Sequence, residues 1–431
     1  MTSEKEALLR AVAATPDDET PRLVFADWLQ ENGDEEWARL IRLDCEIART
    51  PKSDRRWWQL LFARGGMWRV VNRTKPSLPA GLRWARGKGP RGFPDILEIS
   101  SMDAFLEHAE DVFTLSPVRE LGLDMVPESD RHSAPGLYPE DWGRVTRSPY
   151  LGRIRGLRSS WGTFGPDDIR SLVDSPYCEH INGLEFSYNG LAPEGAEELL
   201  GSPLMARLDD LSLPDYDLSY AERGFDKGMS RLPGGCRLRS LTLSRNRHGC
   251  IPMLRALLES PLPRTLEEFD FSGNSLSHSL LPHFVERFPK LRTLFLGKVE
   301  LQTAGVEVIS GSANLAGLRE LDLGNNNLGP VAARYIAESS NLTGLCSLSL
   351  GGNPLRDAGA KSIACSEHLS GLLDLNLPSC QIGDAGAEAI LHSEPLGELL
   401  DLRLWDNPIG KDMALKLKER FGDRVDVNLR D

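Results

Sequence analysis

Long apolar runs are missing from this 431-residue chain, and none reaches the length of a membrane span or a secretory leader. The start, Met1-Thr2-Ser3-Glu4-Lys5-Glu6, is charged and leads into an amphipathic helix. Cysteine is sparse: Cys45, Cys178, Cys236, Cys250, Cys346, Cys365 and Cys380 are scattered, odd in number and without a CxxC pair. That usage suggests neither a disulfide framework nor a zinc site, and free thiols fit a reducing compartment, so a cytoplasmic location is expected. Histidine is as thin. His108, His132, His180, His248, His278, His283, His368 and His392 show no metal-ligand spacing.

An excess of positive charge is absent too. Lys and Arg number 50 against 63 Asp and Glu, and the formal charge of −13 disfavours nonspecific nucleic-acid binding by the chain as a whole. Catalytic signatures are missing. Gly87-Lys88-Gly89-Pro90-Arg91-Gly92 matches GxGxxG, but Pro90 lies inside it and a strand rather than a helix follows. The spacing from Gly81 to Gly87-Lys88 is wrong for a P-loop, and Gly89 stands where Ser or Thr is required. No nucleophile elbow or Cys-His signature occurs. Neither catalysis nor a cofactor or metal is expected.

What is present is a repeated phrase: Leu, two residues, Leu, one, Leu, two, Asn, one, Leu. It is clearest at Leu318-Leu321-Leu323-Asn326-Leu328 and Leu345-Leu348-Leu350-Asn353-Leu355. The leading apolar residues fall at Ile154, Ile181, Leu208, Leu238, Leu266, Leu291, Leu318, Leu345, Leu372 and Leu399, and six of the nine intervals are 27 residues. A fixed period of this size predicts a solenoid, which grows by adding units instead of enlarging one core.

Within a unit, residues 319–324 alternate, so Leu321 and Leu323 face inward while Glu320, Asp322 and Gly324 face out, which predicts a strand. The Asn slot holds Asn189, Asn246, Asn274, Asn326, Asn353 and Asn407, with Cys380, Gly162, Tyr216 and Val299 as replacements. Its amide can donate and accept across to backbone groups of neighbouring coils. The second half is helical by spacing: Ala196 with Leu199, Val306 with Ile309, Ala333 with Ile336, Ala360 with Ile363 and Ala387 with Ile390. Gly195, Gly305, Gly359 and Gly386 keep the helix start uncrowded. One unit cannot bury its own leucines, so the array is stable as a stack with capped ends.

Residues 411–431 read as a closing cap, with Ala414 and Leu417 at repeat spacing and Val425, Val427 and Leu429 as a last strand. Residues 154–410 are the regular repeats, and 94–153 are degenerate ones. In the latter, Leu97-Ile99 and Val118-Leu121-Leu123 are weak coils, and about Val126 to Tyr150 reads as an insertion. Residues 51–93 form a basic, Trp-rich connector and N-terminal cap, with 82–99 as a β-hairpin. Residues 1–50 form a helical module of three short helices with apolar stripes Leu8-Leu9-Val12, Leu23-Val24-Ala26-Trp28-Leu29 and Trp37-Leu40-Ile41-Leu43, Asn32-Gly33 ending the second.

The phrase and its period resemble leucine-rich repeats, closest to the ribonuclease-inhibitor-like class, over about residues 94–431. The resemblance implies an α/β horseshoe with parallel strands on the concave side and helices on the convex side. Pro21-Arg22-Leu23-Val24-Phe25-Ala26-Asp27-Trp28-Leu29, Asn32-Gly33-Asp34 and Leu40-Ile41-Arg42-Leu43 resemble the repeat-companion domain that precedes such repeats in some bacterial proteins. That match implies architecture and bacterial origin, with no assigned chemistry.

The expected function is a non-catalytic protein-interaction scaffold whose concave sheet face binds a protein partner of basic character. The residues expected at the contact are Trp161, Tyr188, Asp210, Glu268, Asp270, Phe295, Glu320, Asp322, Asp374, Arg403 and Trp405. Aromatic anchors amid charge are the composition of interface hot spots, and an acidic surface steers a basic partner. The plain alternative is that the acids keep an exposed sheet hydrated, and Ser347, Ser349, Gly351 and Gly352 leave a smooth patch. A second version is a regulator or inhibitor of a cytoplasmic enzyme. The rival is nucleic-acid binding by residues 52–91, where eleven Lys or Arg meet one acid, Asp54, with Trp57, Trp58, Trp68 and Trp84 interleaved. Amphipathic packing of Trp57, Leu60, Leu61 and Trp68 against the first coil explains the same residues structurally. Salt-dependent self-association of this basic end with an acidic face is a further possibility; a membrane partner is not expected.

Overall fold

The computed structural model describes residues 2–85, 92–126, 136–160, 162, 164–188, 191–215, 222–246 and 250–428. The chain divides into two compact units, Met1–Tyr216 with Arg223–Gly235, and Asp217–Glu222 with Cys236–Asp431.

The first unit opens with the three expected helices, α1 (Thr2–Ala14), α2 (Thr20–Glu31) and α3 (Glu35–Arg49), followed by α4 (Arg55–Gly65) and α5 (Trp68–Thr74). Gly33 takes φ +86° after α2, the left-handed conformation a helix stop requires. One core gathers Val12, Phe25, Leu29, Trp37, Leu40 and Ile41 with Val70, Val71 and Phe93, so packing of this module continues past residue 50. The buried stripe of α2 is Arg22, Phe25, Ala26 and Leu29, whereas Val24 is exposed and Leu23 and Trp28 are half-buried. Positions 22, 25, 26 and 29 share one side of a 3.6-residue period, and Val24 falls on the other. Trp28 stacks on Phe25 with ring centroids 6.0 Å apart. Likewise α4 buries Trp58 and Leu60, while Trp57 and Leu61 are half-buried, because the helix packs on α3.

This helical module is tied to the coils that follow. Asp17 pairs with Arg119 and Arg155, each at 2.8 Å. Trp37 Nε1 donates to Gly92 O (2.8 Å), and Asp44 accepts from Gly92 N (2.7 Å) and Arg64 Nε (2.6 Å). Burial pushes the Asp44 carboxyl up in spite of Arg64. Gly92 is obligatory: its φ is +78° and a Cβ there would lie 2.7 Å from Ile41 Cγ1.

The hairpin is as expected: β1 (Leu82–Trp84) runs antiparallel to β2 (Ile96–Ile99), pairing Leu82 with Ile99. From β2 onward the strands are parallel, through β3 (Glu120–Asp124), β4 (Gly156–Ser160), β5 (Gly183–Ser187) and β6 (Asp210–Ser212). Helices α6 (Met102–Leu115), α7 (Pro139–Thr146), α8 (Pro166–Val173), α9 (Pro193–Gly201) and α10 (Glu222–Ser230) follow β2 to β6 in turn. Leu97-Ile99 and Leu121-Leu123 fall within β2 and β3, which pair in register. The segment expected as an insertion, about Val126 to Tyr150, contains a helix. Residues 127–135 lie outside the described residues, but α7 occupies the helical slot of its repeat and buries Trp142 and Val145. Pro139 at its first turn is what disguised it, since Pro there suits the helical φ instead of breaking it.

The second unit stacks β7 (Ser240–Thr242), β8 (Glu268–Asp270), β9 (Thr293–Phe295), β10 (Glu320–Asp322), β11 (Ser347–Ser349), β12 (Asp374–Asn376), β13 (Asp401–Arg403) and β14 (Val425–Asp426), parallel and in chain order. Between them run α11 (Cys250–Glu259), α12 (Leu281–Arg287), α13 (Gln302–Gly311), α14 (Pro330–Ala337), α15 (Arg356–Ala364), α16 (Asp384–Leu391) and α17 (Lys411–Phe421). The phrase leucines and the paired helix residues are buried, as in Leu321, Leu323, Ala333 and Ile336. Each such Leu contributes ~1.5–3 kcal/mol once its neighbouring coil covers it. Among the described residues no helix is long and apolar enough to cross a membrane.

The Asn slot works as a ladder. Asn353 Oδ1 accepts from Asn326 N (2.8 Å) and Leu328 N (3.0 Å), and its Nδ2 donates to Leu323 O (3.0 Å) and Leu350 O (2.8 Å). Asn326 and Asn407 repeat the pattern one coil before and two coils after. Cys380 fills the slot with a thiol that donates to Leu350 O and Pro378 O at 3.3 Å, and burial pushes its pKa up to about 11. A serine ladder on the helical side accompanies it: Ser339 Oγ donates to Ser310 O (2.6 Å), Ser366 Oγ to Ala337 O and Ser393 Oγ to Ala364 O. Close approach of successive helices needs the glycines. A Cβ on Gly195 would lie 2.3 Å from Phe164 O, and one on Gly359 2.9 Å from Leu355 Cβ and 3.2 Å from Ala333 Cβ.

Candidate functional site

Eight of the expected contact residues, Asp210, Glu268, Asp270, Phe295, Glu320, Asp322, Asp374 and Arg403, lie on strands in register. In the second unit one row runs Glu268, Thr293, Glu320, Ser347, Asp374, Asp401, and the next runs Asp270, Phe295, Asp322, Ser349, Asn376, Arg403. Adjacent strands lie about 4.8 Å apart, so Phe295 is flanked directly by Asp270 and Asp322. In the first unit Asp210 opens β6, and Tyr188 follows the last residue of β5. Tyr188 and Trp405 are each 40% exposed, uncommon for rings of that size. Trp161 lies outside the described residues.

Several of the acids are already engaged, on their own coil or by the coil beside it, which sequence alone did not reveal. Asp270 Oδ1 accepts from Ser272 N (2.9 Å) and Asp322 Oδ1 from Gly324 N (2.8 Å), local turns that end the strands. Ser347 Oγ donates to Asp374 Oδ2 (2.8 Å), Arg403 pairs with Asp401, and Ser379 Oγ donates to Asp406 Oδ2 (2.7 Å). Burial raises the Asp374 carboxyl; Ser347 and Arg403 oppose that and Asp401 adds to it. In the first unit Arg158 bridges Glu120 (2.7 Å) and Glu185 (3.7 Å) beside Gly156 and Gly183, with a hollow of ≈ 270 Å³ that Asp210 also lines. Burial is the main cause of the raised Glu120 carboxyl, and Asp210 and Glu185 add to it.

The residues after the strands form a third feature. Tyr188, Asp215, Arg245, Lys298, Asn325, Ser379 and Asp406 all have φ between +52° and +61°, and Gly273 and Gly352 take the same turn at +74° and +71°. In the second unit the residues before Gly273, Lys298, Asn325 and Gly352 are small (Ser272, Gly297, Gly324 and Gly351), whereas Pro378 and Trp405 precede Ser379 and Asp406. The smooth patch expected from glycine and serine is in fact a groove of ≈ 480 Å³, lined by these small residues with Arg245, Lys298, Asp322, Asn325, Pro378 and Trp405. The sequence signal was a small residue at one slot of consecutive phrases; its meaning needs the coils stacked. A Cβ on Gly351 would lie 2.8 Å from Pro378 Cγ, so the floor cannot carry a side chain there.

Four arginines of the basic segment 52–91 are paired with acids. Arg56 pairs with Glu46 (3.1 Å), Arg64 with Asp44 (2.6 Å), Arg73 with Asp34 (2.6 Å) and Glu36 (3.1 Å), and Arg83 with Glu98 and Asp124 (3.3 Å). Lys75 Nζ donates to Ala85 O (2.8 Å) and Lys52 sits 5.9 Å from the Trp57 ring. Arg86, Lys88 and Arg91, with most of the GxGxxG match, lie outside the described residues. Among the described residues no group of three His, Cys, Asp or Glu is placed to hold a metal ion.

Residues 318–337, 345–364 and 369–391 match the family model described as Leucine Rich repeat. No curated protein matches the chain. Among solved structures, the yeast Rad7 and Elc1 complex is 14% identical, covering 73% of this chain and 81% of that chain with a TM-score of 0.44. An internalin from Listeria monocytogenes is 18% identical, covering 65% and 68% with a TM-score of 0.40. A Bacteroides fragilis protein is 12% identical, covering 76% and 82% with a TM-score of 0.38. The fold is an α/β leucine-rich-repeat solenoid.

Proposed function

We propose that the protein is a non-catalytic interaction scaffold whose strand rows hold a protein partner of basic character. Stacked repeats present extended surfaces suited to macromolecules. The observation that carries this reading is the register row Asp270, Phe295, Asp322, a half-buried ring between two carboxylates, with Glu268 and Glu320 in the adjoining row. A ring provides apolar contact and the acids around it select a cationic neighbour. The full helix after each strand favours the ribonuclease-inhibitor-like class of repeat, and α1 to α3 favour a companion module capping the stack. That Cys45, Cys178, Cys236, Cys346, Cys365 and Cys380 are not joined in disulfides favours a reducing, cytoplasmic setting. The paired state of Arg56, Arg64, Arg73 and Arg83 disfavours nucleic-acid binding by residues 52–91.

The test is affinity capture from native lysate with the intact chain and with Glu268→Lys/Glu320→Lys. Proteins of high isoelectric point retained by the first and lost by the second are expected. The same set on both would overturn the reading.

A further inference from the structure

The groove of the second unit differs in sign from the strand rows beside it. Arg245 and Lys298 both stand on left-handed turn residues, at φ +61° and +56°, with Gly273 on the coil between them. Arg245 leans over that glycine, its Cγ 3.0 Å from where a Cβ would be, and this leaves the side chain a path toward Lys298. At the far end Pro378 and Trp405 form an apolar wall. The floor amides are already engaged from coil to coil: Lys298 N donates to Gly324 O (2.8 Å), Asn325 N to Gly351 O (2.8 Å) and Gly352 N to Pro378 O (2.9 Å). An occupant is therefore held by side chains and not by adding a strand.

We propose that this groove receives a short acidic peptide segment of the partner, with a carboxylate at Arg245 and Lys298 and an apolar side chain against Trp405. Its volume of ≈ 480 Å³ lies within the range of ligand sites. Four strand steps separate Lys298 from Trp405, about 19 Å, which an extended chain spans in about five or six residues. Asn325 and Asn376 line the groove between those ends and can pair with peptide amides; Asn376 Oδ1 has no hydrogen-bond partner in its present rotamer. A nucleic-acid strand fits poorly, because Asp322 lines the same groove and Asp270 and Asp374 stand in the adjacent rows. The inference rests on the helix-free face being a binding surface, and adds that the partner presents a basic patch to the strand rows and an acidic segment to the turns.

The probe is a fluorescein-labelled, amide-capped octapeptide with two glutamates at one end and a phenylalanine five residues on, in a Gly/Ser spacer, read by anisotropy with the full chain. Binding is expected to weaken at least ~10-fold when glutamine replaces the glutamates or when the protein carries Arg245→Glu/Lys298→Glu. Lys298→Arg should retain it, Trp405→Ala should weaken it severalfold, and Glu268→Lys/Glu320→Lys should leave it intact. Circular dichroism checks that each variant is folded. Equal binding of the glutamine or a lysine version, or no binding of the glutamate peptide at millimolar concentration, overturns the proposal. Loss of capture with Glu268→Lys/Glu320→Lys while the peptide fails removes the groove alone. Peptide binding with unchanged capture supports the groove and removes the basic-partner reading alone.

Discussion

Replacing Asn353 by Ala removes one rung of the ladder and should loosen two coils at once. Asn353 is fully buried, and its Oδ1 is the acceptor for Asn326 N and Leu328 N on the preceding coil. Two buried N–H groups left without acceptors cost about 1–3 kcal/mol each, so the loss is about 2–6 kcal/mol. The carbonyls released by Nδ2 cost less, because Leu323 O still receives Asn326 Nδ2 (3.0 Å) and Leu350 O still receives the Cys380 thiol. Equilibrium urea unfolding measures the total. Amide hydrogen exchange measures the place, and faster exchange is expected at Asn326 and Leu328 ahead of distant coils, since stability in a stack is shared mainly between neighbours. A loss below about 1 kcal/mol with unchanged protection at those two amides would refute the ladder as a stabilising device.

Cys380→Asn restores the usual rung and should raise stability by about 1 kcal/mol, measured by the urea midpoint at constant slope. Gly195→Ala places a methyl 2.3 Å from Phe164 O and should cost about 1–3 kcal/mol by overpacking, with a matching fall in midpoint. Asp95 is 2% exposed, both its carboxylate oxygens lack partners, and burial with Glu120 nearby raises its carboxyl well above the usual range. The folded state thus holds a proton that the unfolded chain releases from near 3.8 upward. Stability from this group is therefore fullest below that value and falls as pH rises through the elevated native one. Asp95→Asn should raise the melting temperature at pH 7 by roughly 2–4 °C per kcal/mol recovered, and change little at pH 3. A larger gain at pH 3 would contradict the assignment.

The repeat was legible because its cause is local: a strand needs alternation, a helix needs spacing of three and four, and a solenoid needs both at one period. Leu321, Asn326, Ala333 and Ile336 could be assigned to their places from sequence for that reason. The serine ladder carried the same 27-residue signal at Ser339, Ser366 and Ser393, but a hydroxyl bonding the previous coil has no pattern apart from the period itself. The helix at Pro139–Thr146 was obscured because proline's effect depends on whether it starts a turn or interrupts one.

The candidate site divides along the same line. Which residues point away from the core, among them Glu320, Asp322 and Arg403, follows from a period of two and needs no neighbour. Whether Asp374 is engaged by Ser347 Oγ, whether Asp406 takes Ser379 Oγ, and whether glycines make a flat patch or a groove depend on atoms from other coils. By itself the sequence determined the coil, its inward leucines and its outward charges, because those obey spacing along one chain. Only the tertiary structure decided how Asp17 and Asp44 hold the N-terminal helices, which acids pair with Arg56, Arg64, Arg73 and Arg83, and where Arg245, Lys298 and Trp405 border one groove. Contacts between residues far apart in the chain are set by packing distance, to which sequence spacing is blind.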